Sequence, residues 1–306
     1  MRTVYLGTSA FAAGVLERLA ASPHRPVLVV TRPDRPKGRG RRLQAPPVAE
    51  RAHGLGLELI QPEKLHDPDV IATIDAAAPE VLCVCAYGVL IREPLLSMGD
   101  ILNVHPSLLP RWRGAAPVER AIMAGDPETG VSIMRLEAGL DSGPVCLVER
   151  ESIRSDDDYA SLAGRLERVG GELLVRALDE LPAFVEQPEA GVTYAEKLEA
   201  TDRTLDPGEA AAVLERTVRA LRPHIGARIA LPSDAEFLGV VRARVLEAGG
   251  GSGEEPGWVR VDDEGRLRLD CRDAPLELRE VQPPGGRPMA AADWLRGRTP
   301  VPYRLA

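Results

Sequence analysis

Residues 80–88, EVLCVCAYG, decide the fold class of the first half of this 306-residue chain. A continuous apolar run of this length that ends in a glycine predicts a strand buried on both faces. Other apolar runs with strand character stand at residues 3–7 (TVYLG), 26–31 (PVLVVT), 57–62 (LELIQP) and 100–105 (DILNVH). Amphipathic segments typical of helices separate them, at residues 11–21, 46–54 and 67–79. This alternation predicts an α/β domain with a mostly parallel sheet.

The composition is that of an ordinary globular protein, with 44% hydrophobic and 27% charged residues, and the length predicts two domains. The chain opens with no arginine-rich leader and no apolar run of about 18 residues, so we expect a cytoplasmic protein without a membrane segment. We further expect a monomer. The formal net charge of −8 argues against a general nucleic-acid coat. A local basic patch on this acidic body could still select one polyanion.

The four cysteines, Cys83, Cys85, Cys146 and Cys271, show no C-x-x-C spacing. Cys83 and Cys85 alternate within an apolar run as strand residues do. We therefore expect packing residues rather than metal ligands or a redox pair. The five histidines are scattered along the chain, which predicts no metal site.

The rest of the chain predicts the end of the first domain, a linker and a smaller β-rich domain. Strands at residues 131–136 and 144–150 flank a loop, and a capping box of Ser155 and Asp158 starts helical segments that run to about residue 184, interrupted at Gly170 and Gly171. These features predict a first domain at residues 1–186, a linker at 187–206 and a second domain at 207–306. Short alternating runs in the last segment, with a hairpin at 257–270, predict a partly open barrel.

Asn103 and His105 stand at the carboxyl end of a predicted strand and open the stretch NVHPSLLPRWRG, residues 103–114. Residues i and i+2 of a strand project to the same side, and in open parallel sheets ligands bind at this edge. An amide donor can hydrogen-bond a carbonyl oxygen that becomes an oxyanion, and an imidazole can move a proton near neutral pH. The pair therefore indicates direct acyl transfer. Asp141, in a loop with glycines on both sides, is the candidate third partner that holds the imidazole.

These residue types by themselves also allow a purely structural role. An Asn-x-His pair often only caps the end of a strand, and an aspartate between glycines often serves a turn. The chain contains neither a G-x-S-x-G elbow nor an H-E-x-x-H motif, so nothing in the sequence indicates a covalent nucleophile.

The order of three motifs extends this interpretation. AYG at residues 86–88, NVHPSLLPRWRGAAP at 103–117 and GDPETGVSIMRLEAGLDSGP at 125–144 together closely resemble the folate-dependent formyltransferases. The resemblance implies a Rossmann-like catalytic domain in which Asn103, His105 and Asp141 are catalytic and 10-formyltetrahydrofolate is the co-substrate. It also implies that the folate pocket is lined by Ser107, Leu108, Leu109, Pro110, Ala86, Tyr87, Gly88, Val89, Leu90, Ile91 and Leu140.

Within the family, the resemblance extends over nearly the whole chain to the members that formylate initiator methionyl-tRNA. The loop TRPDRPKGRGRRLQAPPV at residues 31–48 resembles their acceptor-arm loop, and TYAEKL at 193–198 resembles their linker. VQPPGGRPMAAADWLRG at 281–297 resembles the end of their domain with an oligonucleotide-binding-like (OB-like) fold. The tRNA contacts implied by this resemblance are Arg32, Arg35, Lys37, Arg39, Arg41, Arg42 and Lys197.

The composition of the basic loop agrees with that implication. Residues 31–43 contain six basic residues against one acid, Asp34, on a chain that is acidic as a whole. Such a concentration of positive charge indicates phosphate binding. Its glycines and prolines predict irregular backbone, and a solvated charge run without a partner is the alternative.

Three rival functions stay open at the level of the sequence. A formyltransferase could act on an amino-sugar nucleotide or another small amine, because fold analogy does not identify the acceptor. A nucleotide-binding oxidoreductase would share the first strand and helix, but the turn GTSAFAAG lacks the G-x-G-x-x-G pattern. A non-catalytic RNA-binding protein would use the basic loop but would have no use for Asn103, His105 and Asp141.

Overall fold

A computed structural model describes residues 1–37, 42–232, 236–247, 255–296 and 302–305. Up to His105 the helices and strands are β1 Thr3–Gly7, α1 Ala10–Ala20, β2 Leu28–Val30, β3 Arg35–Lys37, β4 Arg42–Gln44, α2 Pro47–Gly54, β5 Leu59–Ile60, α3 Pro68–Ala76, β6 Val81–Cys85 and β7 Asp100–His105. The next are β8 Arg113–Gly114, α4 Pro117–Ala124, β9 Glu128–Arg135, β10 Val145–Ser152, α5 Tyr159–Glu180 and β11 Tyr194–Ala195. The remaining ones are α6 Ala211–Leu221, β12 Ala227–Ala230, β13 Phe237–Val245, β14 Trp258–Val261, β15 Leu267–Asp270, β16 Pro275–Gln282, β17 Met289–Ala290, α7 Ala291–Leu295 and β18 Tyr303–Arg304.

The apolar run at residues 80–88 forms β6, which lies inside a seven-stranded sheet of order β10-β9-β7-β6-β1-β2-β5. The strands β5, β2, β1, β6 and β7 are parallel, whereas β9 is antiparallel to β7 and β10 is antiparallel to β9. Every residue of β6 is buried, as a strand covered on both faces requires. The predicted α/β domain with a mostly parallel sheet is confirmed.

Successive side chains of these strands pack against different layers. On one face, Val4, Leu82 and Ile101 share a hydrophobic cluster with Ile74 of α3. On the other face, the Tyr5 hydroxyl donates to the Ala12 carbonyl of α1. The sheet is therefore covered on both sides, and the alternation along each strand decides which layer a residue meets.

Helix α5 contradicts the predicted interruption at Gly170 and Gly171, because it continues through both glycines. A Cβ atom on Gly170 would lie 2.9 Å from Val104 Cγ1, and one on Gly171 would lie 2.4 Å from Arg18 Cδ. The glycines let α5 approach β7 and α1 closely, so their role is in packing rather than in breaking the helix.

The predicted cap of α5 is also wrong by one turn. The helix begins at Tyr159, so Asp158 is the residue before it. Asp158 Oδ1 accepts from the Ser161 amide at 2.9 Å, and the Asp158 amide donates to Ser161 Oγ at 3.1 Å. This reciprocal pair satisfies two backbone donors at the helix start. Ser155 lies earlier, in the turn that precedes it.

The basic loop is more regular than the sequence predicts. Strands β3 and β4 form an isolated antiparallel ribbon in which Arg35 pairs with Gln44 and Lys37 with Arg42. Pro36 is tolerated opposite Leu43 because each strand of a two-stranded ribbon needs only one of its edges for pairing. The predicted irregular backbone is therefore wrong for residues 35–37 and 42–44.

The chain divides into two compact units. The first contains Met1–Pro117, Glu128–Ser152 and Ala163–Glu196, and the second contains Val118–Pro127, Ile153–Leu162 and Lys197–Ala306. The segment that the sequence assigns to a linker at residue 187 starts within the first unit, where β11 pairs with β8. The domain boundaries inferred from the sequence stay a prediction.

The second unit contains a curled antiparallel half-barrel of order β12-β13-β16-β15-β14-β18, with β17 paired to β16. Helix α6 closes it, and Leu214, Val218 and Leu221 of that helix join the buried cluster of the barrel at helical spacing. The predicted hairpin appears as β14 and β15, with Gly265 at a φ of 77° in its turn. The predicted OB-like β-rich domain is confirmed.

All four cysteines are free, and Cys83, Cys85 and Cys271 are buried, as packing residues are. Burial raises the pKa of the Cys83 and Cys85 thiols to about 12, and it raises the pKa of Cys271 to about 12 as well. These thiols are therefore protonated and unreactive at neutral pH. None of the helices in the described ranges has the length and apolar character that crossing a membrane requires.

The close approach of α5 to β7 leads to a stability prediction. Gly170→Ala places a methyl group against Val104, whose branched side chain has little freedom to move, so we expect a loss of about 1–3 kcal/mol. The matched control is Gly164→Ala in the same helix, where an added Cβ meets nothing within 4 Å. The control should gain about 0.5–1 kcal/mol from the better helix former. Denaturant titration measures both, and equal gains in the two variants would refute the packing role.

Candidate active site

Strand β7 places Asn103 and His105 on the same face of the sheet as Ile101, at its carboxyl end. Asn103 is 7% exposed and His105 is 4% exposed. Val104, between them, points to the opposite face, where it meets Gly170 of α5. The packing of one apolar residue against the helix therefore orients the two polar side chains that flank it.

The His105 ring has a defined tautomer. His105 Nε2 lies 2.8 Å from the Trp112 carbonyl oxygen. A carbonyl can only accept, so Nε2 carries the hydrogen and Nδ1 holds the lone pair of the neutral ring. His105 Nδ1 faces Asp141 Oδ2 at 3.7 Å, which is too long for a direct hydrogen bond but close enough to attract a protonated ring.

Asp141 lies in the loop between β9 and β10, in the left-handed region at a φ of 45°. Its Oδ2 accepts from the Gly114 amide at 2.8 Å. Trp112, at a φ of 62°, and Gly114, at 119°, also have positive φ values. Both partners of His105 are thus held by backbone in uncommon conformations, which persist only where surrounding contacts support them.

The segment Ser107 to Pro110 is fixed to β9 by one side chain. Ser132 Oγ donates to the Ser107 carbonyl at 2.7 Å and accepts from the Leu109 amide at 3.2 Å. Ser107 is itself fully buried and its hydroxyl donates to the Arg111 carbonyl at 2.6 Å. Leu108, Leu109 and Pro110 are half-buried and begin directly after the Asn103 and His105 strand.

The turn after β6 lies at the same edge of the sheet. Ala86 and Gly88 have positive φ values of 41° and 74°, which make the turn tight. Tyr87 and Ile91 are buried in the hydrophobic cluster of the α3 face. Among the remaining residues inferred to line the pocket, Val89 is half-buried, whereas Leu90 and Leu140 are 58% and 59% exposed. The structure brings the turn and the segment 107–110 to neighbouring strand ends, but the Tyr87 and Ile91 side chains point into the core.

Burial raises the pKa of the Tyr87 hydroxyl to about 12, although the neighbouring Arg32 lowers it in part. Arg32 Nη1 would lie 4.0 Å from a Cβ atom built on Gly88. Arg32 therefore stands at the edge of the turn rather than in the ribbon. In the described parts of the chain, no group of three or more histidine, cysteine or acidic side chains is arranged to hold a metal ion.

The other basic residues inferred from the sequence lie in different settings. Arg35 and Arg42 are exposed on the ribbon, where Arg35 Nη2 contacts Glu63 Oε2 at 2.9 Å. Lys37 is the last residue of β3, and Arg39 and Arg41 lie outside the described residues. Lys197 is exposed at the start of the last segment of the second unit.

Sequence reasoning missed the side chains that hold the two loops at the site. Gln187 Nε2 donates to the Asp141 carbonyl at 2.9 Å and to the Gly143 carbonyl at 2.7 Å. Thr193 Oγ1 accepts from the Trp112 amide at 2.9 Å. No local pattern indicates these contacts, because they join residues that are 46 and 81 positions apart.

Comparison with known proteins agrees with this geometry. The sequence profile described as "Formyl transferase" matches residues 1–178, and the one described as "Formyl transferase, C-terminal domain" matches residues 197–299. The methionyl-tRNA formyltransferase of Halorhodospira halophila is 43% identical over 98% of this chain and 97% of its own. The protein of that name from Thermus thermophilus is 44% identical over 97% of this chain and 96% of its own.

A solved structure supports the fold. HypX from Aquifex aeolicus, crystallised in complex with tetrahydrofolic acid, aligns with 96% of this chain. The match covers 47% of the HypX chain, with a TM-score of 0.63 and 18% sequence identity. At that identity the likeness concerns the fold alone. The two profiles and the full-length relatives confirm the resemblance found in the sequence motifs, and the chain belongs to the formyl transferase family.

Proposed function

We propose that this chain transfers the formyl group of 10-formyltetrahydrofolate to the α-amino group of initiator methionyl-tRNA. The product, formylmethionyl-tRNA, would serve translation initiation. Full-length relatives that are 43% and 44% identical carry the name methionyl-tRNA formyltransferase, which supports this acceptor over an amino-sugar nucleotide. Formyl transfer from 10-formyltetrahydrofolate, measured side by side with methionyl-tRNA and with an amino-sugar nucleotide, tests the choice.

One observation carries the chemical part of the proposal. Asn103 is only 7% exposed, and its carboxamide hydrogen-bonds no group in the described portion of the chain. The polar atoms of this carboxamide are not among the fully buried ones that lack a partner, so they reach solvent and can bind a group that the substrate brings. A formyl oxygen that gains negative charge would supply that partner, next to His105 on the same strand face.

The reaction then needs one bond to form, one to break and one proton to move. The neutral amine attacks the formyl carbon, and the Asn103 amide stabilises the oxyanion of the tetrahedral intermediate. His105 Nδ1, which holds the lone pair, accepts a proton from the attacking nitrogen, and the protonated ring is attracted by Asp141. Collapse of the intermediate breaks the bond between the formyl carbon and N10 of the folate, and His105 returns the proton to N10.

The folate would bind along the segment Ser107 to Pro110 and the turn at residues 86–91, with Leu140 at the edge. Leu90 and Leu140 are large, exposed apolar side chains, and contact with an aromatic pterin would cover them. The buried Tyr87 and Ile91 would contribute through the backbone of their turn, whose carbonyl at Tyr87 accepts from Thr8 Oγ1. The carboxyl edge of a parallel sheet is where such ligands usually bind.

The acceptor arm of the tRNA would bind to the basic loop at residues 31–43, with Lys197 as a further phosphate contact. The ribbon follows β2, so it starts at the same edge of the sheet as Asn103 and His105. An acceptor end held there would carry its aminoacyl group toward the two catalytic side chains. We also propose that the protein acts as a cytoplasmic monomer.

The first test removes the amide. Asn103→Ala should lower kcat by about 10²- to 10³-fold, the usual effect of losing one oxyanion donor, with little change in folate binding. The control is Ser97→Ala, which removes only a hydroxyl that donates to the exposed Glu93 carboxylate. Single-turnover kinetics and a tetrahydrofolate titration measure the two properties. Normal turnover by Asn103→Ala would show that the mechanism is wrong.

A second test concerns metal ions, which we propose take no part in the chemical step. The amide and the imidazole already supply charge stabilisation and proton transfer, so no Lewis acid is needed. Chelation should leave the rate unchanged on a minimal aminoacyl substrate, which avoids the effect of magnesium on tRNA folding. A rate that falls with chelator and returns with metal would contradict the proposal.

The third test concerns the basic loop at residues 31–43. Changing Arg39, Arg41 and Arg42 to alanine removes up to three phosphate contacts, so the slope of log affinity against log salt should fall by up to about 2–3 units. Tetrahydrofolate affinity should hardly change. The matched control changes Arg150, Arg168 and Arg176, exposed arginines that contact acidic partners elsewhere in the first unit, and carries the same loss of charge.

Filter binding of charged tRNA over a salt series compares the two triple variants. If both lose affinity equally, only net charge matters. If neither changes, the basic loop is a solvated surface and the second unit must bind the RNA.

A further inference from the structure

Gln187 uses its whole carboxamide to join two segments of the first unit. Its Nε2 donates to the carbonyls of Asp141 and Gly143, and its Oε1 accepts from Arg113 Nη2 at 2.7 Å and Arg113 Nε at 3.0 Å. Both amide hydrogens and the carbonyl oxygen of Gln187 therefore have partners, and the residue is half-buried. Only an amide of this length provides both functions, because a glutamate has no donor and an asparagine is one methylene shorter.

Each of the two segments holds a different partner of His105. The segment at residues 112–114 provides the Trp112 carbonyl that accepts from His105 Nε2. The loop at residues 137–143 carries Asp141, whose carboxylate faces His105 Nδ1. The Gly114 amide donates to the Asp141 carboxylate, so the segments are also joined directly. Gln187 therefore ties together the two sides of the imidazole.

The rest of residues 185–195 supports the same segments. Thr193 accepts from the Trp112 amide through Oγ1 and from the Arg113 amide through its carbonyl, at 2.9 Å in both cases. The Ala195 carbonyl accepts from the Ala115 amide at 2.8 Å, and Val185 forms a bridge with Val145 at the start of β10. The positive φ values of Trp112 and Asp141 need such support, because each conformation is costly for a residue with a side chain.

We propose that Gln187 is a positioning residue for formyl transfer, acting through Asp141 and the Trp112 carbonyl rather than on either substrate. The proposal rests on the proposed function of His105 and Asp141. It assigns the amino-terminal part of the predicted linker to the active site of the first unit. Displacing a catalytic group by about 1 Å can cost up to about 100-fold in rate, so the effect of this contact is measurable.

The experiment compares Gln187→Glu and Gln187→Met with the matched control Glu186→Gln. The control exchanges a carboxylate and an amide at the exposed neighbouring residue, the reverse of Gln187→Glu. Gln187→Glu keeps the acceptor for Arg113 but loses both donors to the loop at residues 137–143. Gln187→Met loses the acceptor and both donors. We expect kcat to fall about 10- to 100-fold in both Gln187 variants, with KM for methionyl-tRNA and for the folate within about threefold of the original. Glu186→Gln should behave like the unchanged protein.

A double variant separates positioning from a general loss of structure. Because Gln187 acts in part through Asp141, Gln187→Met should cost clearly less in kcat when Asp141 is already alanine than it does in the unchanged protein. Full additivity of the two effects, or a loss that appears only in KM for the tRNA, would overturn the proposal.

Amide hydrogen exchange provides a readout that does not depend on activity. The peptides that cover residues 111–116 and 137–143 should exchange faster in both Gln187 variants and not in Glu186→Gln. Unchanged exchange, or faster exchange with an unchanged kcat, would refute the positioning role. An unchanged protein that fails to formylate methionyl-tRNA would instead overturn the proposed function, while the exchange data would still show whether Gln187 holds the two segments.

Discussion

The contact between Val104 and Gly170 of α5 is the constraint on which the candidate site depends. When a strand residue packs this closely against a helix, its two neighbours must point to the opposite face of the sheet, because side chains alternate along a strand. Asn103 and His105 therefore project together to the other side, next to the apolar cluster that contains Ile101. A side chain on Gly170 would push directly on the residue between them. Packing and chemistry are thus coupled within three residues of β7.

Backbone groups, more than side chains, prepare the imidazole. The Trp112 carbonyl selects the tautomer of His105, and the Gly114 amide orients Asp141. Both belong to a short segment of uncommon backbone conformation that pairs with β11. A site built in this way depends on the chain that holds the segment, which explains why a glutamine and a threonine far along the sequence contact it.

The distribution of positive charge differs between the two units. Arg216 and Arg219 of α6, and Arg222 directly after it, have partners inside the second unit. Arg216 Nε donates to the Met123 carbonyl, Arg219 contacts Glu215 and the Asp157 carbonyl, and Arg222 contacts Asp158. Each of these contacts holds the guanidinium in place, so binding RNA there would compete with them. The basic loop at residues 31–43, with six basic residues and one acid, has no such balance in its own sequence.

The sequence by itself determined the features that depend on neighbouring residues. Apolar runs and their spacing predicted the parallel sheet, the buried cysteines and the β14–β15 hairpin, because strand and turn preferences are local. The motif order predicted the family and placed Asn103, His105 and Asp141 at one edge of the sheet, where the structure brings His105 and Asp141 within 3.7 Å of each other.

Only the tertiary structure decided what distant residues do to one another. Gly170 and Gly171 carry the local signal of a helix break, yet contact with β7 and α1 makes them part of a continuous helix, since close packing outweighs propensity. Gln187 lies in a stretch whose composition indicates a linker, and its role appears only when the fold brings it to Asp141 and Arg113. Hydrogen bonds between residues so far apart leave no periodic pattern, because their geometry is set by the topology of the sheet and not by the spacing of residues along the chain.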